Sequence, residues 1–275
     1  MSTLIQRRRA LKLIAGAGLV ALVGCGSDDD AASTASTSST TTAGASGSGS
    51  GSTGGSEASE TTTGSGAEAS AIPEETAGPY PGDRSNGPNV LTESGIVRRD
   101  IRPSFGSASG VAEGVPLTVN LTVVDASGGS SPLAGAAVYA WHCTRDGEYS
   151  LYSQSIAEEN YLRGVQETDA DGALSFTSIF PGAYLGRWPH THFEVYATLA
   201  DAAGGGSPIA TSQLALPEDA CATVYATDGY SQSVQNLART SLESDMVFSG
   251  GYAQQLAATT GSVASGYVAE LSVGV

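Results

Sequence analysis

Five segments of this chain set β-branched or aromatic residues at short-period spacing, at residues 117–124, 136–142, 173–179, 190–198 and 266–273. Alternation of that kind buries one face of a strand and leaves the other free. Clusters of Gly, Pro, Asp and Ser at 126–132, 169–172 and 201–208 separate the segments and supply the turns. Many short strands at close spacing predict an all-β domain, a single β-sandwich of mainly antiparallel strands with long loops. Residues 231–244 are the best candidate for a short helix, and residues 73–102, rich in Pro, Gly and Asn, read as an extended arm on the domain surface.

The domain so predicted spans residues 72–275, because what precedes it cannot form a core. Arg7, Arg8, Arg9 and Lys12 lead into an apolar run at 13–23 that is too short for a permanent membrane helix and fits an export signal. Paired arginines before such a run mark a twin-arginine signal, although Ala10 sits where a large apolar residue is usual. Leu22, Val23, Gly24 and Cys25 resemble a bacterial lipobox, which makes residues 1–25 a signal peptide with lipobox and Cys25 the lipidated first residue of the mature protein. The plainer alternative is an ordinary small residue at a signal end. Residues 26–71 are almost wholly Ser, Thr, Gly, Ala and acidic residues, a composition that stays disordered and serves as a tether. The expectation is an exported lipoprotein at the cell surface or in the periplasm, touching membrane only through its lipid.

Beyond Cys25 the chain carries eight positive against 28 negative residues, a net charge of −20. Such a surface repels phosphate backbones, so nucleic-acid binding is excluded. Cys143 and Cys221 fall in a compartment that permits a disulfide, and two buried thiols fit the sequence equally well.

All three histidines, His142, His190 and His192, lie within about fifty residues. His190 and His192 are two apart in a strand-like run, so both project from one face and can reach one metal ion. Two tyrosines, Tyr149 and Tyr184, each follow a turn signal nearby. A phenol of unperturbed pKa ~10 ligates at neutral pH only where a hard, highly charged cation replaces its proton. If all four meet, phenolate oxygen with imidazole nitrogen points to ferric iron rather than zinc.

The residues Val138-Tyr139-Ala140-Trp141-His142, Gly147-Glu148-Tyr149-Ser150, Leu162-Arg163-Gly164, Thr168-Asp169, Phe176-Thr177, Pro181-Gly182-Ala183-Tyr184, Arg187 and His190-Thr191-His192 follow in an order that resembles the intradiol ring-cleavage dioxygenases. That family includes catechol, protocatechuate and hydroxyquinol dioxygenases. Weaker likeness reaches from Glu75-Thr76-Ala77-Gly78-Pro79-Tyr80 to the C-terminus.

The resemblance implies a non-haem Fe(III) cofactor held by Tyr149, Tyr184, His190 and His192, with Tyr184 displaced as substrate binds. It implies Arg187 as the catalytic, substrate-facing arginine and Gln213 as a substrate-side glutamine near it. His142 is structural in that pattern. The implied partners are a catechol-type substrate and O2, the product is a muconate-type diacid, and a homodimer is compatible with the family.

Two features depart from the pattern or tune it. Trp188-Pro189 puts an indole beside the arginine, which is expected to narrow the pocket. The acidic surface disfavours a carboxylate substrate unless Arg163 or Arg187 offsets it, which tilts the expectation to neutral catechols or hydroxyquinol over protocatechuate. Two rival readings are a non-catalytic binding or adhesion module and a copper or zinc protein.

Overall fold

The computed structural model describes residues 70–275; the expected signal at 1–25, its Cys25 and all but the last two residues of the expected tether lie outside the described residues. The described part is strand-rich, with two mostly antiparallel sheets and few helices. The first sheet is centred on β1 (Pro116–Asp125). One edge of β1 pairs antiparallel with β2 (Ser131–Pro132) and β5 (Ala173–Ile179), and the other pairs in parallel with β9 (Gly266–Gly274), which pairs with β8 (Ala258–Ser262). The second sheet runs β4 (Arg163–Glu167), β3 (Ala137–Trp141), β6 (His190–Tyr196), β7 (Ala210–Ala215), all antiparallel. Short helices α1 (Leu199–Gly204), α2 (Glu218–Tyr225) and α3 (Ser231–Leu237) lie between strands.

The five expected strands are β1, β3, β5, β6 and β9, within two residues at each end. β4 escapes the pattern because its only large apolar residue is Val165, and β8, Ala258–Ser262, carries none. The helix expected over 231–244 stops at Leu237, because Ser241 and Ser244 bond each other's backbone and hydroxyl in a tight turn that competes with helix.

Period-two alternation divides the second sheet into two faces with different tasks. Val138, Ala140, Phe193, Val195 and Leu214 join Leu117, Val119, Leu121, Phe176 and Leu271 of the first sheet in one buried apolar cluster. On the opposite face the register aligns Arg163, Trp141, His192 and Gln213 in one row across all four strands. Cross-strand neighbours project to the same side, so these four side chains stand shoulder to shoulder.

The segment expected as a surface arm covers that face, which corrects the expectation. Val90, Leu91, Ile96 and Ile101 are buried, and Ile96 and Arg98 bond the β4 edge through Val165 N–H and C=O at 2.8 and 3.0 Å. Arg163 pins the arm from beneath. Its guanidinium donates to the carbonyls of Pro81 (2.7 Å), Tyr80 (2.9 Å) and Ser150 (2.9 Å) and to the hydroxyls of Tyr139 and Ser150. Gly82 lies against it at φ +71°, where an added Cβ would come within 2.9 Å of Nη1. Arg163→Met is expected to leave the Tyr80 and Ser150 carbonyls without donors, Pro81 O keeping the Tyr139 hydroxyl, and cost about 3 kcal/mol. Urea unfolding reads the loss, and limited proteolysis should cut near residue 80 before the domain unfolds.

Candidate metal centre

Each of the four sequence-singled donors comes from a segment with its own fixing device. His190 and His192 lie on β6, and the His192 ring is stacked on Trp141 at 4.9 Å between centroids and 5° between planes. His190 Nδ1 bonds the Trp188 carbonyl, so Nδ1 carries the hydrogen and Nε2 presents a lone pair. Tyr149 sits on the loop after β3, whose turn is held by Thr144 Oγ1 accepting from the Asp146 and Glu148 amides. Gly147 there adopts φ +83°, and a Cβ would stand 3.2 Å from that of Tyr184. Only glycine lets the two tyrosine loops approach so closely.

The turn before Tyr184 has almost no strand bonds of its own and is gripped by the α2–α3 region. Tyr225 donates to Pro181 O, Tyr230 to Phe180 O and Asn236 Nδ2 to Ala183 O. Ser233 Oγ accepts from Ala183 N–H at 2.9 Å and donates to Arg145 O at 3.2 Å, joining the two tyrosine loops through one hydroxyl. Ser233 and Asn236 are three apart and share a helix face.

The four donor atoms meet in a chain of short separations. Tyr149 Oη and Tyr184 Oη are 3.4 Å apart, Tyr184 Oη and His190 Nε2 3.3 Å, and His190 Nε2 and His192 Nε2 3.1 Å. Both imidazoles and Tyr149 are buried, while Tyr184 is half-buried and opens on a cleft of about 870 Å³.

Burial pushes the Tyr149 phenol far up, with the Tyr184 oxygen adding to the effect, and pushes Tyr184 up to about 12 against the opposing Arg187 charge. Burial first, then the Arg187 charge, drives His190 down to about 3; burial and then the His190 ring hold His192 well below the usual imidazole range. Without a cation the cluster is two protonated phenols and two neutral imidazoles. That set fits a hard cation: two anionic oxygens on metal binding, two neutral nitrogens, and a lone pair already exposed on His190. Among the described residues no three His, Cys, Asp or Glu side chains gather as an alternative site.

Arg187 is buried beside the cluster. Its Nε donates to Asp245 Oδ2 at 2.9 Å, Nη2 to Gln213 Oε1 at 2.5 Å, and Nη1 faces Tyr184 Oη at 3.5 Å. Gln213 also donates to Thr76 O of the arm at 2.9 Å. Asp245 accepts from the amides of Trp188 and Val247. Burial opposes its ionisation, but those bonds and Arg187 hold its carboxyl below the usual range.

Comparison with known proteins bears on this arrangement. Residues 88–204 match the family model Dioxygenase_C, described as Dioxygenase, a stretch that holds Tyr149, Tyr184, Arg187, His190 and His192. A chlorocatechol 1,2-dioxygenase of Rhodococcus opacus is 31% identical over 125 residues, 38% of this chain and 46% of that protein. The chain is related to the intradiol ring-cleavage dioxygenases.

The stretch matched in that curated relative is under half its length. The fold is shared over a greater span. An intradiol ring-cleavage dioxygenase of Tetranychus urticae superposes with a TM-score of 0.58 at 24% identity, over 75% of this chain and 94% of that one. A second solved dioxygenase gives 0.58 at 26% identity over the same shares.

Several expectations for this dioxygenase relative change with the geometry. The Trp188 indole does not narrow the cleft: it packs with Ala215, Leu242, Val247 and Phe248, and its Nε1 donates to Leu216 O at 2.8 Å. Arg163 cannot serve a substrate carboxylate, since its donors are spent on the arm, Tyr139 and Ser150. Cys143 and Cys221 are buried free thiols. His142 is buried between Cys143 O and Ser178 Oγ, in line with a structural role. Asp245, Ser233 and Asn236 escaped sequence reading; they lie past the recognisable block, and an acid amid Ser and Met has no pattern to mark it.

The buried imidazoles set a pH dependence for the metal-free protein. His142 and His190 have folded values of about 4 and about 3, and His192 is also depressed, below an unfolded value of ~6.5. The unfolded chain therefore binds these protons first, and stability falls as pH drops below ~6.5, by up to about 4 kcal/mol per pH unit while all three remain unprotonated in the folded state. Urea midpoints of metal-free protein from pH 8 to 4 should decline accordingly.

Proposed function

We propose that this chain opens catechol-type aromatic rings between their two hydroxyls with O2, at a non-haem Fe(III) centre held by Tyr149, Tyr184, His190 and His192, giving a muconate-type diacid. The observation that carries the reading is the meeting of two phenol oxygens and two imidazole nitrogens, each 3.1–3.4 Å from the next, at the floor of an open cleft. Bound ferric iron would supply Lewis acidity that draws electron density from a chelated catecholate and makes the ring reactive towards O2.

The side chains divide the remaining work. Both tyrosines border the cleft, but Tyr149 is buried and stays in place, while half-buried Tyr184 is the group freer to move. Tyr184 Oη, as a phenolate facing the cleft, would accept a proton from a substrate hydroxyl and so act as the local base. Arg187 Nη1 is the guanidinium nitrogen turned towards Tyr184, and its positive charge stabilises negative charge growing on the substrate. Asp245 and Gln213 fix Arg187 before substrate arrives, which removes the cost of orienting it during the reaction. We read the two sheets and their shared core as the layers of a single β-sandwich, and the 1–25 and 26–71 segments as an export signal with a lipid-anchored tether.

Protein loaded with ferric iron should be reddish from tyrosinate charge transfer and should consume oxygen with catechol. Tyr149→Phe is expected to abolish colour and oxygen uptake together. Arg187→Ala should keep the colour and lose roughly 10²–10³ in kcat. Colourless protein that takes up no iron would replace this reading with a binding module, and blue or green copper-loaded protein with a copper site.

A further inference from the structure

The cleft above the four donors is larger than a single aromatic ring requires. Its volume of about 870 Å³ lies in the range that encloses drug-sized ligands. Its lining holds one charged side chain, Arg187, and two of that guanidinium's nitrogens are already committed to Asp245 and Gln213. The mouth carries two large apolar side chains in the open, Leu185 at 69% and Met246 at 79% exposure.

The exposure of Met246 is mounted on a buried, hydrogen-bonded backbone. Met246 stands between Asp245, fully buried, and Val247, buried, and Asp245 Oδ1 accepts from the Val247 and Phe248 amides at 2.8 and 3.3 Å. Leu185 follows Tyr184 directly and precedes Gly186, which takes φ +81°. A side chain held out over a cleft by buried neighbours keeps its apolar surface in water at a cost that a ligand can recover.

Resting on the ring-cleavage reading above, we infer that the preferred substrate is a catechol bearing a large neutral, apolar substituent, and that Leu185 and Met246 receive that substituent. The catechol oxygens would face the Tyr184 end of the cleft, and the substituent would extend outward to the lip. At the lip, away from Arg187 Nη1, a charged substituent has no charged partner among the lining residues.

Calorimetry on the ferric protein under anaerobic conditions, with 4-phenylcatechol and with catechol, reads binding apart from turnover. Wild type should bind 4-phenylcatechol about tenfold more tightly, and Met246→Ala and Leu185→Ala should each shrink that ratio several-fold. Equal affinities, or a margin that survives both substitutions, would overturn the inference. Oxygen uptake separates the two levels: ring opening of catechol without the affinity margin removes the lip subsite alone, whereas the margin without oxygen uptake removes the ring-cleavage reading and leaves the subsite standing.

Discussion

The row of Arg163, Trp141, His192 and Gln213 across the second sheet is the constraint on which the candidate site depends. Each member acts on a different part of the site. Arg163 holds down the arm, Trp141 fixes the plane of the His192 ring, and Gln213 joins Arg187 to the arm at Thr76. A slip of one residue in β6 would turn His192 into the apolar core and bring Phe193 out in its place, and one in β3 would do the same to Trp141. The core residues on the reverse face, Val138, Ala140, Phe193 and Val195, are therefore what keeps the row in register.

Electrostatics explains how the cluster would receive a cation. Buried phenols hold their protons and buried imidazoles stay neutral, so the folded domain concentrates donors without charge. The one nearby charge pair, Arg187 with Asp245, is internally balanced. Placing a trivalent ion there would release phenolic protons and convert binding energy into folding energy. The loops that carry Tyr149 and Tyr184 meet through Gly147 and the Ser233 hydroxyl, so they act as one framed unit.

Sequence reading reached the strands whose alternation is strong, and it reached His190 and His192 because period-two geometry alone puts them on one face. It also reached Tyr149, Tyr184, Arg187 and Gln213, though only through an ordered set of short motifs. What it missed lacks local periodicity. β4 holds a single apolar residue, the arm's burial depends on distant Arg163, and Asp245 gains meaning only when a loop 58 residues away folds over it. The indole of Trp188 was misread for the same reason: adjacency in sequence to Arg187 said nothing of the cluster behind it.

The parallel pairing of β1 with β9 reaches across the chain. Leu117 meets Tyr267 and Val123 meets Val273, so the central strand of the first sheet acquires one whole edge from the final residues. Such a sheet cannot close until β9 has been made, and long-range pairing of that kind is slow. The interval before closure leaves β1 with an open edge, which makes early assembly of this domain a period of exposure to chaperones and proteases.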